Sequence, residues 1–337
     1  MYKNGERMMA WVGKIAEIKS IPNADRIVAY RVGGWWVVDQ KNLYQIDDLV
    51  VYVSIDAWVP HELAPFLSKG SEPREYNGVR GERLRTVKLR GQVSQGLLIP
   101  TLGTFPEGTD MTEALGIQKW EAPVPARLAG DVNGVFPNFI PKTDQERIQN
   151  LSKELDEWTH TDYTWELTEK LDGSSMTVYI MNDKFGVCSR NYDLKESDTN
   201  SFWQVARMQQ LENVLRSLDI NIALQGELVG EGIQSNPYNI KGQQFYIFDI
   251  YNIDKGEFLS AADRQLFARN FNMNHVPIID SDFRLNKNCS IDNLLEMADG
   301  PARFSKNKVD REGVVFKCNQ NPQLHFKAIS NKFLLKN

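Results

Sequence analysis

The 337-residue sequence predicts an α+β protein in two parts: a small N-terminal β-barrel and a larger domain built on antiparallel sheets. Three observations predict it. The chain is too long for one typical hydrophobic core. Residues 8–60 carry a dense series of short β-branched and aromatic runs. From residue 164 onward such runs alternate with stretches of helical periodicity.

In the first part, "MAWVGKIAEIKS", "RIVAYRV", "WWVVDQ" and "LVVYVSIDAWVP" read as strands, and "IPNAD", "GG" and "NLYQIDD" as the turns between them. "LRTVKLRG" and "QGLLIPT" follow. Five or six short strands in roughly 100 residues suggest an OB-fold barrel. "PHELAPFLSKGSEPREYNGVRGE" interrupts them as a loop with a short helix. Residues 101–142 turn rich in Gly and Pro, so the expected division is a barrel over 1–120, a linker over 121–141 and a second domain over 142–337. "KTDQERIQNLSKELDEW" (142–158) predicts a helix capped by Thr143 or Asp144, with Ile148, Leu151 and Leu155 on one face. Beyond it "TWELTEK", "SMTVYIMN", "KFGVCSRN", "ALQGELVG", "QFYIFDIYN", "EGVVFKC" and "LHFKAIS" read as strands, with helices near 199–218, 261–271 and 290–298.

Composition narrows the class. Apolar residues make up 42% and charged residues 25%, as in ordinary globular proteins, and the net charge of −5 argues against a wholly basic nucleic-acid coat while allowing a local basic groove. Three cysteines without close spacing and four scattered histidines argue against a disulfide framework or a zinc centre. No apolar run has the length of a membrane span, and "MYKNGERMMAWVG" lacks a signal-peptide core. The expected location is intracellular: cytoplasmic, or nuclear in a eukaryote.

The chemistry gathers around "TEKLDGSSM" (168–176). A Lys-x-Asp-Gly string arises by chance in roughly one chain in ten of this length, so alone it reads as a hairpin turn with a solvated lysine. Its company is less easily accidental. "CSRN" sets Arg190 at a strand end, "QGELVGEG" sets Glu227 before glycines, "FYIFDI" is an aromatic strand, "EGVVFK" carries Glu312 and Lys317, and "HFKAISNKF" adds Lys327. Such a set suits nucleotidyl transfer through Lys170, whose amine would attack the α-phosphorus of a nucleoside triphosphate. To attack, Lys170 must be neutral, so its pKa is expected to fall beside Lys317, Lys327 or a metal. Glu227 and Glu312 would hold Mg²⁺, Arg190 offers a planar fork to ribose or phosphate, and Phe248 could stack on a purine. Phe245 and Tyr246 read as core, Cys188 as a small buried apolar group, Glu231 as a loop charge, and His160 and His275 as incidental.

In order, "EKLDGSS", "SRN", "GELVGEGIQ", "FYIFDI", "EGVVFK" and "HFKAISNKF" resemble the six collinear motifs of covalent nucleotidyltransferases, and most closely those of nick-sealing ATP-dependent RNA ligases. A barrel ahead of the catalytic domain resembles the Deinococcus-type ligases. The resemblance covers roughly 142–335. It implies a ligase-type adenylation domain that takes ATP with Mg²⁺ or Mn²⁺ and seals nicked duplexes with RNA on the 3′-OH side. It also implies roles: Lys170 carries AMP, Asp172 lies near the ribose and metal waters, and Arg190 contacts the nucleotide. Glu227 serves the ribose or the metal, Glu312 the metal, Phe248 stacks on adenine, and Lys317 and Lys327 touch phosphates. Where the family has Lys-x-Lys this chain has His325 first, and Arg147 could compensate. DNA ligases and mRNA-capping guanylyltransferases share the lysine motif, but both would place a barrel after the catalytic domain, and only about ten residues follow Lys327. A non-catalytic RNA-binding protein with a degenerate ligase domain would not need the lysines and carboxylates that persist here.

The first part also looks similar to OB-type tRNA-binding domains through "SIPNADRIVAYRV" and "KLRGQVSQGLLIP". Candidate nucleic-acid contacts are Lys14, Arg31, Trp35, Trp36, Lys88 and Arg90, unless the tryptophans serve the barrel core.

Overall fold

The computed structural model describes residues 2–3, 6–122, 131–303, 305 and 309–336; part of the expected linker, 123–130, lies outside them. It divides into two compact units. One comprises residues up to Ala122 with Ile148–Leu155 and the chain from Leu334; the other comprises the segment ending at Arg147 with Asp156–Phe333.

The first unit is organised by β1 (Ala10–Ser20), an eleven-residue strand that changes partner along its length. Strand β2 (Ile27–Val32) pairs with its C-terminal half, across a bulge between Ile15 and Glu17. Next come β3 (Trp35–Gln40) and β4 (Leu49–Val53), and β4 pairs with the N-terminal half of β1. After these come β5 (Ala57–Pro60), β6 (Arg74–Tyr76), β7 (Val79–Arg83), β8 (Val87–Leu89), β9 (Gln92–Ser94) and β10 (Leu97–Pro100). A five-stranded sheet in the order β10-β4-β1-β2-β3 and a four-stranded sheet containing β5, β7 and β6 complete this OB-type unit. A strand paired on both halves of its length bends both neighbours around one core, here Trp11, Ile15, Tyr30, Trp35 and Tyr52. The short helix expected in the 60–82 loop is a 3₁₀ turn at Pro65–Ser68.

Helix α1 (Ser152–Trp158), whose first four residues fall in the first unit, is shorter than the 142–158 segment predicts. Glu146–Arg147 instead forms a two-residue strand, parallel to Phe326–Lys327, and the helix starts only beyond the 3₁₀ turn Ile148–Asn150. The expected caps have other partners: the Thr143 hydroxyl meets Ser175 Oγ at 2.8 Å, and Asp144 pairs with Arg190. Pairing with a sheet outweighs helical periodicity here.

The remaining elements are β11 (Thr164–Lys170), β12 (Ser174–Met181), β13 (Lys184–Cys188), β14 (Tyr192–Leu194), α2 (Ser201–Met208), α3 (Leu211–Arg216), β15 (Ile222–Gly230), β16 (Gln243–Asn252), α4 (Ala261–Asn270), β17 (Ile278–Arg284), α5 (Ile291–Ala298), β18 (Gly313–Cys318), β19 (His325–Ile329) and α6 (Asn331–Lys336). Helices therefore stand in all three expected regions. A seven-stranded sheet runs Val132–Val135, β14, β13, β12, β15, β16, Glu257–Phe258; a five-stranded sheet runs Glu146–Arg147, β19, β18, β11, β17. Apart from the Glu146–Arg147 pair, the ladders are antiparallel.

Side chains alternate faces along a strand, and register carries that alternation across the five-stranded sheet. Glu166 opposes Lys317 and Lys170 opposes Gly313, while Lys317 opposes His325 and Val315 opposes Lys327. One face therefore carries Glu166, Thr168, Lys170, Lys317, His325 and Lys327. The other is aromatic: Phe326 stacks on Phe316 (ring centroids 4.5 Å) and on Trp158 (5.3 Å), with Trp165 at 5.2 Å. Among the described residues no helix is long and apolar enough to cross a membrane.

Candidate active site

Lys170 ends β11 and does not wave in solvent: its Nζ donates to Glu312 Oε2 at 2.8 Å. The turn after it is pinned. Leu171 is buried, and the Asp172 backbone N–H donates to the Tyr238 hydroxyl at 2.6 Å. Gly173 is required by close approach, because a Cβ there would lie 2.4 Å from the Leu228 carbonyl oxygen and 2.8 Å from Glu227 Cγ. The turn thus brings Lys170 and Asp172 against β15, where Glu227 pairs with Ser175.

Three carboxylates, Asp172, Glu227 and Glu312, surround one ammonium. Burial and then the Glu312 charge push Asp172 up to about 6, partly opposed by Lys170. Burial pushes Glu227 up to about 8 despite Lys170 and Arg190. For Lys170, burial favours the neutral amine, but Glu312, Glu227 and Asp172 together outweigh it and raise the pKa. The sequence expects a fall driven by Lys317, Lys327 or a bound metal. The structure corrects the part that rests on the lysines: the charges nearest Lys170 are negative and raise its pKa.

Lys317 lies on the same face, buried, with Nζ 2.6 Å from Asp249 Oδ1 and a second bond to the Phe248 carbonyl. Burial, countered by Asp249, pulls it down to about 8. Phe248 owes its position to a bulge: Gln225 pairs with Asp249 and Gly226 with Ile247, leaving Phe248 as the extra residue. Its ring is half-buried, with the Lys317 ammonium 5.4 Å from the centroid. Phe245 is core, as expected; Tyr246 is half-buried, its hydroxyl donating to Gln244 Oε1 at 2.7 Å.

Residues 141–147 tie the two sheets. The Pro141 carbonyl accepts from Gln225 Nε2 (2.6 Å), Asp144 accepts from Arg190 (2.6 Å), and Arg147 sits beside Lys327 in the parallel pair. His325 is half-buried near Phe258, with burial lowering its pKa, so it stands as a neutral imidazole next in register to Lys317.

The geometry thus gathers Lys170, Asp172, Glu227 and Glu312 in one cluster and Lys317 with Phe248 and Asp249 in another, with Lys327 and Arg147 along one strand pair. The sequence reading has no place for Asp249, Tyr238 or Arg264, and treats His275 as incidental. In the structure half-buried His275 accepts from Arg264 Nε at Nε2 (3.0 Å) and donates from Nδ1 to the Val276 carbonyl (2.6 Å). Burial lowers it to about 4. Only Asp249 had a sequence signal, as the residue after Phe248 in "FYIFDI". His160 is exposed and bonds only locally, to Thr159 and the Asp156 carbonyl, and Cys188 is buried, both as expected.

Among the six barrel candidates, Trp35 belongs to the core, its indole N–H donating to Asn150 Oδ1 at 2.6 Å. Trp36 is half-buried beneath Arg31 (5.2 Å) and Lys19 (5.7 Å), and Lys14 pairs with Asp47. Lys88 and Arg90 are exposed on the β8–β9 hairpin, whose turn has left-handed φ at Arg90 and Gly91. No acidic residue occurs between Glu82 and Glu107.

A strand-end lysine among carboxylates, between two antiparallel sheets and preceded in sequence by an OB-fold unit, defines a ligase of the nucleotidyltransferase superfamily. An RNA ligase family model matches residues 163–333, and an OB-fold domain model matches 9–101. The chain belongs to the RNA ligase family. It is similar to solved structures described as Naegleria gruberi RNA ligase with PPi (44% identity, 98% of this chain and 99% of that one, TM-score 0.91) and as the K170A mutant of that ligase with ATP and Mn (43%, 98% and 99%, 0.91). A third is its E312A mutant with AMP and Mn (43%, 98% and 99%, 0.91). No curated protein matches the chain in sequence.

Proposed function

We propose that this chain is an ATP-dependent RNA ligase that joins 3′-OH and 5′-phosphate ends. The observation that carries the reading is Lys170, half-buried at a strand end and bonded to Glu312 within a cluster of three carboxylates. In the first step Lys170 Nζ gives a proton to an acceptor, for which Glu312 is in place. The amine then forms a P–N bond to the α-phosphorus of ATP, the bond to the bridging oxygen breaks, and pyrophosphate leaves with that electron pair. AMP next passes from Lys170 to a 5′-phosphate oxygen, and a 3′-OH finally displaces AMP from that phosphate. Lys317, Lys327 and Arg147 would meet the phosphates, Arg190 and Asp172 the ribose side, and Phe248 the adenine.

The site suits a divalent cation on charge grounds, since three carboxylates outnumber one ammonium. Among the described residues no group of three or more His, Cys, Asp or Glu side chains is arranged to close around a metal ion. That fits Mg²⁺ or Mn²⁺ held by Glu227 and Glu312 and completed by phosphate oxygens and water. When bound, the ion would offset charge on the phosphate oxygens and weaken the hold of Glu312 on the Lys170 proton.

We propose a nicked duplex with RNA on the 3′-OH side as the substrate, with the Lys88–Arg90 hairpin meeting its backbone. An intracellular location, cytoplasmic or nuclear, is part of the same proposal. Incubation with [α-³²P]ATP and Mg²⁺ or Mn²⁺ should label the wild type and not Lys170→Ala; equal labelling would end the mechanism. Labelling by GTP instead would indicate capping chemistry. Nicked duplexes differing only in ribose or deoxyribose at the two terminal 3′ nucleotides test the substrate; equal sealing rates would remove the RNA preference.

A further inference from the structure

Glu166 and Lys317 face each other across paired strands, yet they do not bond. Glu166, 0% exposed, is claimed by α4: Arg264 Nη2 donates to Oε2, and Gln265 Nε2 to Oε1 at 2.7 Å. Arg264, 2% exposed, also lies 3.7 Å from Asp249 Oδ1 through Nη1, and its Nε is spent on His275. Asp249 in turn holds Lys317, 3% exposed, at 2.6 Å. The buried charges therefore alternate: Glu166 negative, Arg264 positive, Asp249 negative, Lys317 positive.

Alternation decides where Lys317 stands. An ammonium has three donors, and Asp249 and the Phe248 carbonyl take two, leaving one for a phosphate oxygen. A buried carboxylate without a counter-ion is strongly unfavourable. Were Arg264 absent, Lys317 would be the cation left beside both Asp249 and Glu166, and the directly opposite carboxylate would draw it off the Phe248 carbonyl. We propose that Arg264 is a positioning residue for adenylylation: by neutralising Glu166 it keeps Lys317 on Asp249 and Phe248, with one N–H directed to the nucleotide. This rests on the reading of the chain as an ATP-dependent ligase. Arg264 lies outside every motif of the sequence and touches no group assigned to bond making. A purely architectural role, fastening α4 to the sheet, is the competing account.

Single-turnover formation of protein–AMP at saturating ATP separates them, because the amplitude reports the folded fraction and the rate constant reports positioning. Arg264→Met should retain most of the amplitude and lose tenfold or more in rate constant. The double variant Glu166→Gln with Arg264→Met removes both charges and should recover the rate constant to within about threefold. A wild-type rate constant with reduced amplitude in Arg264→Met would show an architectural role only. If Arg264→Met does not fold, the double variant and Arg264→Lys carry the test: a rate constant tenfold below wild type in the folded double variant overturns the proposal. So does a wild-type rate constant for Lys317→Ala, since nothing would then need positioning. Absence of labelling in the wild type itself would instead remove the ligase reading.

Discussion

At residue scale, Lys170 is a half-buried ammonium bonded to Glu312. In the mechanism we propose, a cation bound at Glu312 would weaken that hold on the proton, so the amine would become reactive with nucleotide and metal together. Gly173 guards this geometry. Gly173→Ala would drive a methyl group into the Leu228 carbonyl and against Glu227, and should slow protein–AMP formation by tenfold or more while the protein stays folded by circular dichroism. His275 supplies a pH prediction. Its folded pKa of about 4 lies below the ordinary 6.5, so as pH falls the unfolded chain takes up the proton first and native stability drops between those values. Relative to His275→Gln, the wild type should lose about 2 kcal/mol more of unfolding free energy between pH 7 and pH 5 in urea titrations. Parallel curves would mean that the imidazole is protonated in the native state.

At the scale of elements, the two faces of the five-stranded sheet divide chemistry from cohesion. Phe326 is fully buried in the aromatic face, and Phe326→Ala should lower unfolding free energy by about 3–5 kcal/mol in chemical denaturation. The β8–β9 hairpin supplies a second prediction. If Lys88 and Arg90 each neutralise one phosphate, replacing both with alanine should weaken duplex binding irrespective of base sequence. It should also make the slope of log affinity against log salt shallower by about 2 in fluorescence titrations. An unchanged slope would place duplex contact elsewhere.

Elements also show where the sequence stops being legible. Lys170 could be read because it ends β11 beside a recognisable turn; Glu227, Phe248 and Lys327 sit inside β15, β16 and β19 and are legible through the order of the motifs. Arg264 and Tyr238 reach the site from a helix and a loop distant in the chain, and nothing local marks an arginine on α4 as buried. The 142–158 segment misleads for the opposite reason: its helical spacing is genuine, but Glu146–Arg147 gains more by pairing with Phe326–Lys327. Trp35 and Trp36 are indistinguishable as letters; strand alternation sends one to the core and leaves the other half-exposed beneath two cations.

At the scale of the whole molecule, net charge is a poor guide to the work done. A chain of −5 concentrates three carboxylates around Lys170 and leaves an acid-free stretch between Glu82 and Glu107. A divalent ion resolves the first of these imbalances, so EDTA should abolish labelling by [α-³²P]ATP and excess Mg²⁺ or Mn²⁺ should restore it. Labelling that persists in EDTA would show that Lys170 can shed its proton without help.

The route of the backbone has a practical side. Ile148–Leu155 belongs with the barrel: Gly34 N–H bonds to the Gln149 carbonyl, Trp35 to Asn150, and Ile148 is fully buried. Yet this octet is threaded between two stretches of the catalytic half. Severing the gene near residue 130 would strand it with the wrong fragment, baring an isoleucine on one piece and orphaning an indole on the other. Anyone seeking the ligase portion alone should expect a sticky, poorly soluble product unless the missing half is supplied in trans.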